Sequence, residues 1–231
     1  MLTKRQNMLE TIRGGKPDRF VNQFEAIEFI WATPYNKNYP GFPQPGTELV
    51  NAWGVTIRFQ ENTPGPFPVH DDEHRVLKDV AKWRETVKIP KLDFPKSDWD
   101  ECRAEVDKID RTEKFAAALM APGVFDQLHF LMGMEDCFLS FYNEPDALKE
   151  LIAAITDWEL EYARLLCENL HPDMIFHHDD WAATARRSSP RKCSTSSSSR
   201  RTKKYTVTVN RTAWNLWFTT ATLTRRRLCL T

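Results

Sequence analysis

The stretch EPDALKELIAAITDWELEYARLLCENLHPDMIFHHDDW, residues 144–181, decides the fold class. Its residues Leu148, Leu151, Ile152, Ile155, Trp158, Tyr162, Leu165 and Leu166 recur at the spacing of one helix face. Pro145 stands in the first turn, where its missing N–H leaves no bond unmade, and His171-Pro172 stops the run. The pattern therefore predicts a helix over 144–170. DMIFHHDDW (173–181) then reads as a strand whose last residues are two histidines, two aspartates and a tryptophan. Upstream, KFAAALMA (114–121) is a short apolar run stopped by Pro122-Gly123, the pattern of a strand buried on both faces. Strand, helix, strand in this order predicts a parallel α/β architecture.

Further out the signals are shorter. Thr3 and Gln6 make a Thr-x-x-Gln capping box and Gly14-Gly15 a stop, so residues 3–13 read as a helix. RFVNQFEA (19–26) has the composition of a first strand, with Asn22, Gln23 and Glu25 as the polar groups at its end. Prolines and glycines crowd residues 31–70, which is loop territory apart from a strand-like NAWGVTIRF (51–59). Helices are expected from Lys78 to Val87 and from Ser97 to about Arg111, the second with Trp99, Cys102, Val106 and Ile109 on one face.

The chain has 231 residues, 41% of them hydrophobic, enough for one substantial core. Its zero net charge argues against a nucleic-acid or membrane-surface binder, yet that zero hides two unlike pieces. Residues 1–181 hold all 32 acids and 20 of the 32 bases, a net charge of −12; residues 182–231 hold the other 12 bases and no acid. Five cysteines with no CxxC pair suit a reducing compartment, and neither a signal peptide nor a long apolar span is written, so a cytoplasmic protein is expected.

Residues 182–231 read as a disordered basic Ser/Thr-rich tail or as a segment out of frame. Trp214, Trp217, Phe218, Leu228 and Leu230 are foreign to a solvated tail. Back-translation with each codon begun at the third base of the old one permits KKIYGYCKSHGMELVVHHSDSYAATLVP for Thr202–Leu230 and SPEMFDEF for Ser189–Ser196. Loss of one G from a TGGGG run would turn Trp-Gly-Ser into the observed Trp181-Ala182-Ala183.

GKPDR (15–19), APGVFDQ (121–127), LMGMEDCFLSFYNEPDAL (131–148) and IFHHDDW (175–181), with SPEMF and HHSDSY of the re-read tail, resemble the uroporphyrinogen decarboxylase-like superfamily, which includes the corrinoid methyltransferases. The resemblance covers residues 1–181. It implies a (β/α)₈ TIM barrel with its site at the C-terminal ends of the strands, here incomplete, with 182–231 out of frame. Three or four of eight strands would leave an open parallel edge, so the chain as written is expected to aggregate and to be inactive, while the intact form would be an enzyme. Uroporphyrinogen decarboxylases, which act in porphyrin biosynthesis, carry an Arg-Gln-Ala-Gly-Arg-type segment after the first strand; the corresponding NQFEAIEF (22–29) has no arginine and two glutamates. Like charges at close range would repel a polycarboxylate by several kcal/mol. The resemblance thus implies corrinoid-dependent methyl transfer on a small-molecule or tetrapyrrole substrate, with a corrinoid carried by a partner protein and zinc as a second cofactor. The His-x-Cys zinc signature of that branch is not visible in residues 1–181.

His177, His178, Asp179 and Asp180 are the candidate catalytic residues. Neighbours on a strand face opposite sides, so His178 with Asp180, or His177 with Asp179, would share one site unless the strand has ended. A carboxylate beside an imidazole can perform acid–base work or orient a metal ligand; the plainer reading is a hydrogen-bonded strand end. Gln23, Glu25, Pro122 and Phe125 are the candidate substrate-binding residues at the same strand ends. His70-Asp71-Asp72 with Glu73-His74 could supply a metal ligand but reads more simply as a solvated loop, and His129 as a packing histidine. Trp31, Tyr35, Tyr39, Trp53 and Phe67 would floor a pocket for a flat tetrapyrrole or form loop core. An alternative of another class is a non-catalytic interaction protein whose acidic domain docks the basic tail or a partner.

Overall fold

The computed structural model describes residues 1–180 and, beyond them, the backbone of four short strands at 182–183, 186–187, 206–207 and 217–221. In chain order the elements begin with α1 (Lys4–Arg13), α2 (Gln23–Ala26), β1 (Ile27–Ile30), α3 (Pro34–Asn38), β2 (Glu48–Val50), β3 (Thr56–Arg58) and β4 (Phe67–Pro68). A 3₁₀ turn at Val80–Lys82 leads into α4 (Trp83–Thr86) and α5 (Lys96–Val106). Then come β5 (Phe115–Met120), α6 (Val124–Met132), α7 (Met134–Asn143), α8 (Pro145–Leu170) and β6 (Met174–His177). The strands beyond are β7 (Ala182–Ala183), β8 (Arg186–Arg187), β9 (Thr206–Val207) and β10 (Trp217–Ala221).

β5 lies between β1 and β6 and pairs with both in parallel, Ala118 opposite Ile30 on one side and Ile175 on the other. One face of this sheet, with Ile30, Ala116, Ala118, Met120 and Ile175, packs against Trp99, Cys102 and Val106 of α5 and Tyr162, Leu166 and Leu170 of α8. The alanines of β5 carry no bulk, which lets the helix layer sit close. α8 is long enough to serve a second core as well: Leu148, Leu151, Ile152 and Ile155 of its first half pack with α6, α7 and the antiparallel sheet β2-β3-β4. The helix ends where His171 turns left-handed at φ 44°, its Nδ1 2.8 Å from the Cys167 carbonyl, before Pro172. Leu166→Ala, at a fully buried position shared by helix and sheet, is expected to cost about 2–5 kcal/mol, read from the urea midpoint of the full chain.

The barrel expectation is corrected. Among the described residues three parallel strands are joined by β10 and β9 in the order β1-β5-β6-β10-β9, and β10 runs antiparallel to β6. A strand of reversed direction at that edge breaks the repeating parallel pattern a (β/α)₈ barrel requires, and the second sheet stands apart from the first, so no TIM barrel, complete or partial, is formed. The open edge expected beside β6 is occupied, since Trp217 pairs with His177 and Thr219 with Ile175 through the backbone. The charges of 182–231, through which an acidic domain would dock a basic tail, lie outside the described residues, as do Cys193 and Cys229.

The first strand is also shifted. Asn22 and Glu25 form a reciprocal capping box, which makes Gln23–Ala26 a helical turn and delays β1 to Ile27. Of the strand expected over 51–59, residues 56–58 are strand, preceded by a turn in which Asn51 accepts from Trp53 and Val55 and Gly54 takes φ 80°. No described helix is long and apolar enough to cross a membrane.

Candidate functional site

β6 ends at His177, so His178, Asp179 and Asp180 leave the sheet and are freed from strand alternation. The His178 N–H still donates to the Met120 carbonyl at 2.9 Å, which holds the departing chain against the end of β5. Beyond β5 the chain turns through a cis Ala121-Pro122 bond and Gly123 into α6. The two segments meet there. The Asp179 carboxylate accepts the Phe125 N–H at 3.1 Å and the Asp126 N–H at 2.9 Å, filling the open donors of the α6 first turn. In return the Asp126 carboxylate accepts the Asp180 N–H at 3.3 Å. Each aspartate thereby holds the backbone of the other's segment.

Three histidines surround this pair. His129 Nε2 lies 3.2 Å from Asp126 Oδ1, and His178 Nδ1 lies 3.6 Å from Asp126 Oδ2 with its Nε2 3.7 Å from Asp180. On the helix-facing side of β6, His177 Nε2 is 3.2 Å from Glu159 Oε2 of α8. Asp126, Glu159 and Asp179 are buried, whereas His178 and Asp180 are exposed. Burial pushes the Asp179 carboxyl up to about 7; the Asp126 charge adds to the rise, and the two N–H bonds and His177 oppose it. For His177 burial pulls downward, but the Glu159 hydrogen bond and the charges of Glu159, Asp179 and Asp126 prevail and raise its affinity for a proton. All the ion pairs of this cluster among the described residues join a histidine to a carboxylate. Such a centre can store and exchange protons close to neutrality.

The four candidate catalytic residues thus lie together, with His178 beside Asp180 and His177 within the field of Asp179. The candidate substrate-binding residues divide. Pro122 is at the site. Phe125 is there only through its N–H, because its ring is buried against His129 and Phe138. Glu25 precedes β1 and lies at the opposite end of the parallel sheet, half-buried and paired with Arg19 at 2.9 Å, which holds its carboxyl below the usual range. Gln23 opens α2 at that same wrong end, and its side chain lies outside the described residues. Asn22 and Glu25 serve a helix cap and an ion pair, which is why they do not reach the strand ends.

Asp126 and Glu159 were not singled out by the sequence, and Gly123 was read only as the stop of a strand. Glu159 was signalled, since it interrupts the apolar stripe of α8 between Ile155 and Tyr162, and a lone carboxylate there demands a partner. The loop aromatics mostly form core: Tyr35 packs on Trp158 and Tyr162, and Trp53 on Trp158, while Trp31 and Phe67 are exposed. His74 pairs with Asp71 at 2.5 Å in the solvated loop. His70 lies against His129 with ring centroids 6.4 Å apart, and burial lowers its proton affinity.

Zinc finds no fit. Among the described residues no group of three or more His, Cys, Asp or Glu side chains is arranged to hold a metal ion, and Cys102 and Cys137 are buried as free thiols. Burial pushes the Cys137 thiol up to about 12, far from a thiolate. Comparison with known proteins gives no match among family models, curated proteins or solved structures.

Proposed function

We propose that the aspartate–histidine cluster at the ends of β5 and β6 is the acid–base centre of an enzyme that transfers methyl groups to or from a corrinoid carried by a partner protein. The observation that carries this reading is the meeting of APGVFDQ and IFHHDDW. These two motifs, about fifty residues apart, are joined by the Asp179 carboxylate on the Phe125 and Asp126 N–H groups. The charge of the cluster favours methyl transfer over decarboxylation of a polycarboxylate porphyrinogen. Its ion pairs hold carboxylates against imidazoles, and a further carboxylate brought among Asp126, Asp179 and Asp180 would be repelled. Exposed Trp31, just past the C-terminal end of β1, offers a flat apolar surface on the same edge of the sheet.

The residues' own task would be proton management. When a thiol or similar acceptor attacks a methyl group, its proton must leave as the new bond forms. Asp179 and His177, each with a proton affinity shifted toward neutrality or above, would take that proton and return it in the reverse direction. In this reading 182–231 is out of frame, so the chain as written lacks the activity.

Two linked experiments test it. Resequencing the gene across the Trp181 codon is expected to reveal one additional G and an open frame through the HHSDSY segment. The in-frame protein is then expected to demethylate methylcobalamin in the presence of a thiol, seen as a change in the cobalamin absorbance, with the chain as written inactive. An in-frame protein that leaves methylcobalamin untouched but releases carbon dioxide from a porphyrinogen would replace this reading with the decarboxylase one.

A further inference from the structure

We propose that Glu159 is the positioning residue of this centre: from the helix layer its carboxylate takes the Nε2–H of His177 and leaves Nδ1 as the atom through which that imidazole exchanges protons. The inference rests on the acid–base reading above but concerns a residue that neither the motifs nor the strand end contains.

The geometry leaves little freedom. Glu159 lies on α8, 7% exposed, at a helical position otherwise given to the core residues Ile155, Tyr162 and Leu166. Its Oε2 is 3.2 Å from His177 Nε2, and its Oε1 is buried with no hydrogen-bond partner among the described residues. A carboxylate enclosed this way depends on the one donor that the described residues offer it. Ionised, it can only accept, so the imidazole proton is fixed on Nε2 and the lone pair of the neutral ring falls on Nδ1. The backbone supports the arrangement. His177 is opposite Met120 in the sheet register, on the same face as Ile175, which directs it toward α8 and away from His178. Among the described residues the charged groups acting on His177 are Glu159 from α8, Asp126 from α6 and Asp179 from the segment after β6, and all three favour its protonated form. Burial acts against them.

The test is a nitrogen-15 NMR titration of the histidines in the full chain, with the His177 signals assigned by their loss in His177→Gln. The neutral ring is expected as the Nε2–H tautomer, with a midpoint above 6.5. Glu159→Gln, whose amide oxygen can still accept, is expected to keep that tautomer while lowering the proton affinity about tenfold. Glu159→Leu is expected to release the tautomer as well. A neutral His177 protonated on Nδ1 in the unaltered chain would overturn the proposal, and so would a midpoint unmoved by Glu159→Gln. If neither variant folds, the tautomer of the unaltered chain decides alone. A residue that merely fills space would change stability without changing tautomer or midpoint. Failure of methyl transfer with the expected titration would remove the functional reading and leave the Glu159–His177 assignment standing.

Discussion

Gly123→Ala is expected to destabilise the full chain by about 3 kcal/mol or more and to separate Asp179 from α6. A Cβ added at Gly123 would stand 2.4 Å from the Asp179 Cβ, 2.6 Å from its Cγ and 2.7 Å from the His178 carbonyl oxygen. Contacts this short with backbone and with the root of a buried side chain cannot be relieved by a rotamer change. The Gly123 backbone itself, at φ −79°, is ordinary, so alanine is excluded by its neighbours and not by conformation. Once the segment carrying Asp179 is pushed away, the Phe125 and Asp126 N–H groups lose their carboxyl acceptor, a further cost of about 1–3 kcal/mol. Gly41→Ala is the control. None of the described residues lies within 4 Å of that added Cβ, so its effect should stay within about 0.5 kcal/mol. Urea denaturation of both variants separates the cases; equal midpoints would mean that the two segments do not approach as described.

Asp179→Asn is expected to change the pH dependence of stability more than its magnitude at low pH. A carboxyl ordinarily near 3.8 that burial holds at about 7 keeps its proton in the folded chain while the unfolded chain loses it. The unfolded state then binds fewer protons than the native one, so stability falls as pH rises from about 4 to about 7 and levels off above. The difference between the folded and unfolded affinities corresponds to about 4 kcal/mol across that window. His177 adds to the trend with the same sign, because a histidine with raised proton affinity stabilises most below its unfolded pKa and loses that contribution as pH rises through its folded value. Asparagine cannot ionise. Relative to the unaltered chain, the variant should therefore gain as pH rises, from near parity or a small deficit at about pH 4 to an advantage of up to about 4 kcal/mol at about pH 8. Parallel stability profiles for the two proteins would contradict the burial assigned to Asp179.

Both predictions concern the junction of β5, α6 and β6, and its legibility in the sequence was uneven. α8, β5 and β6 could be read because each carries a signal that needs no distant partner: a helical stripe with a proline start, an alanine-rich apolar run, and an apolar run ending in charge. β1 was displaced because Asn22 and Glu25 resemble a polar strand end but satisfy each other across a helical turn. The barrel failed for a different reason. Parallel neighbours can be inferred from strand–helix–strand order, but the partner of the last edge depends on residues far along the chain, and here β10 arrives antiparallel. Within the site, HHDD was visible as an excess of ionisable groups at a strand end. Asp126 was hidden in a motif read for its proline and glycine, and its importance arises only when Asp179 and Asp180 come within hydrogen-bond distance.

The most direct measurement follows the backbone amides of Phe125 and Asp126 by proton–nitrogen NMR as the pH of the full chain is varied from about 5 to about 9. Both amides should shift together with one midpoint at about 7, the titration of the carboxyl they bind, and both shifts should vanish in Asp179→Asn. Amides that ignore pH across this range, or that titrate unchanged in Asp179→Asn, would show that the acid–base centre is not assembled by these two segments.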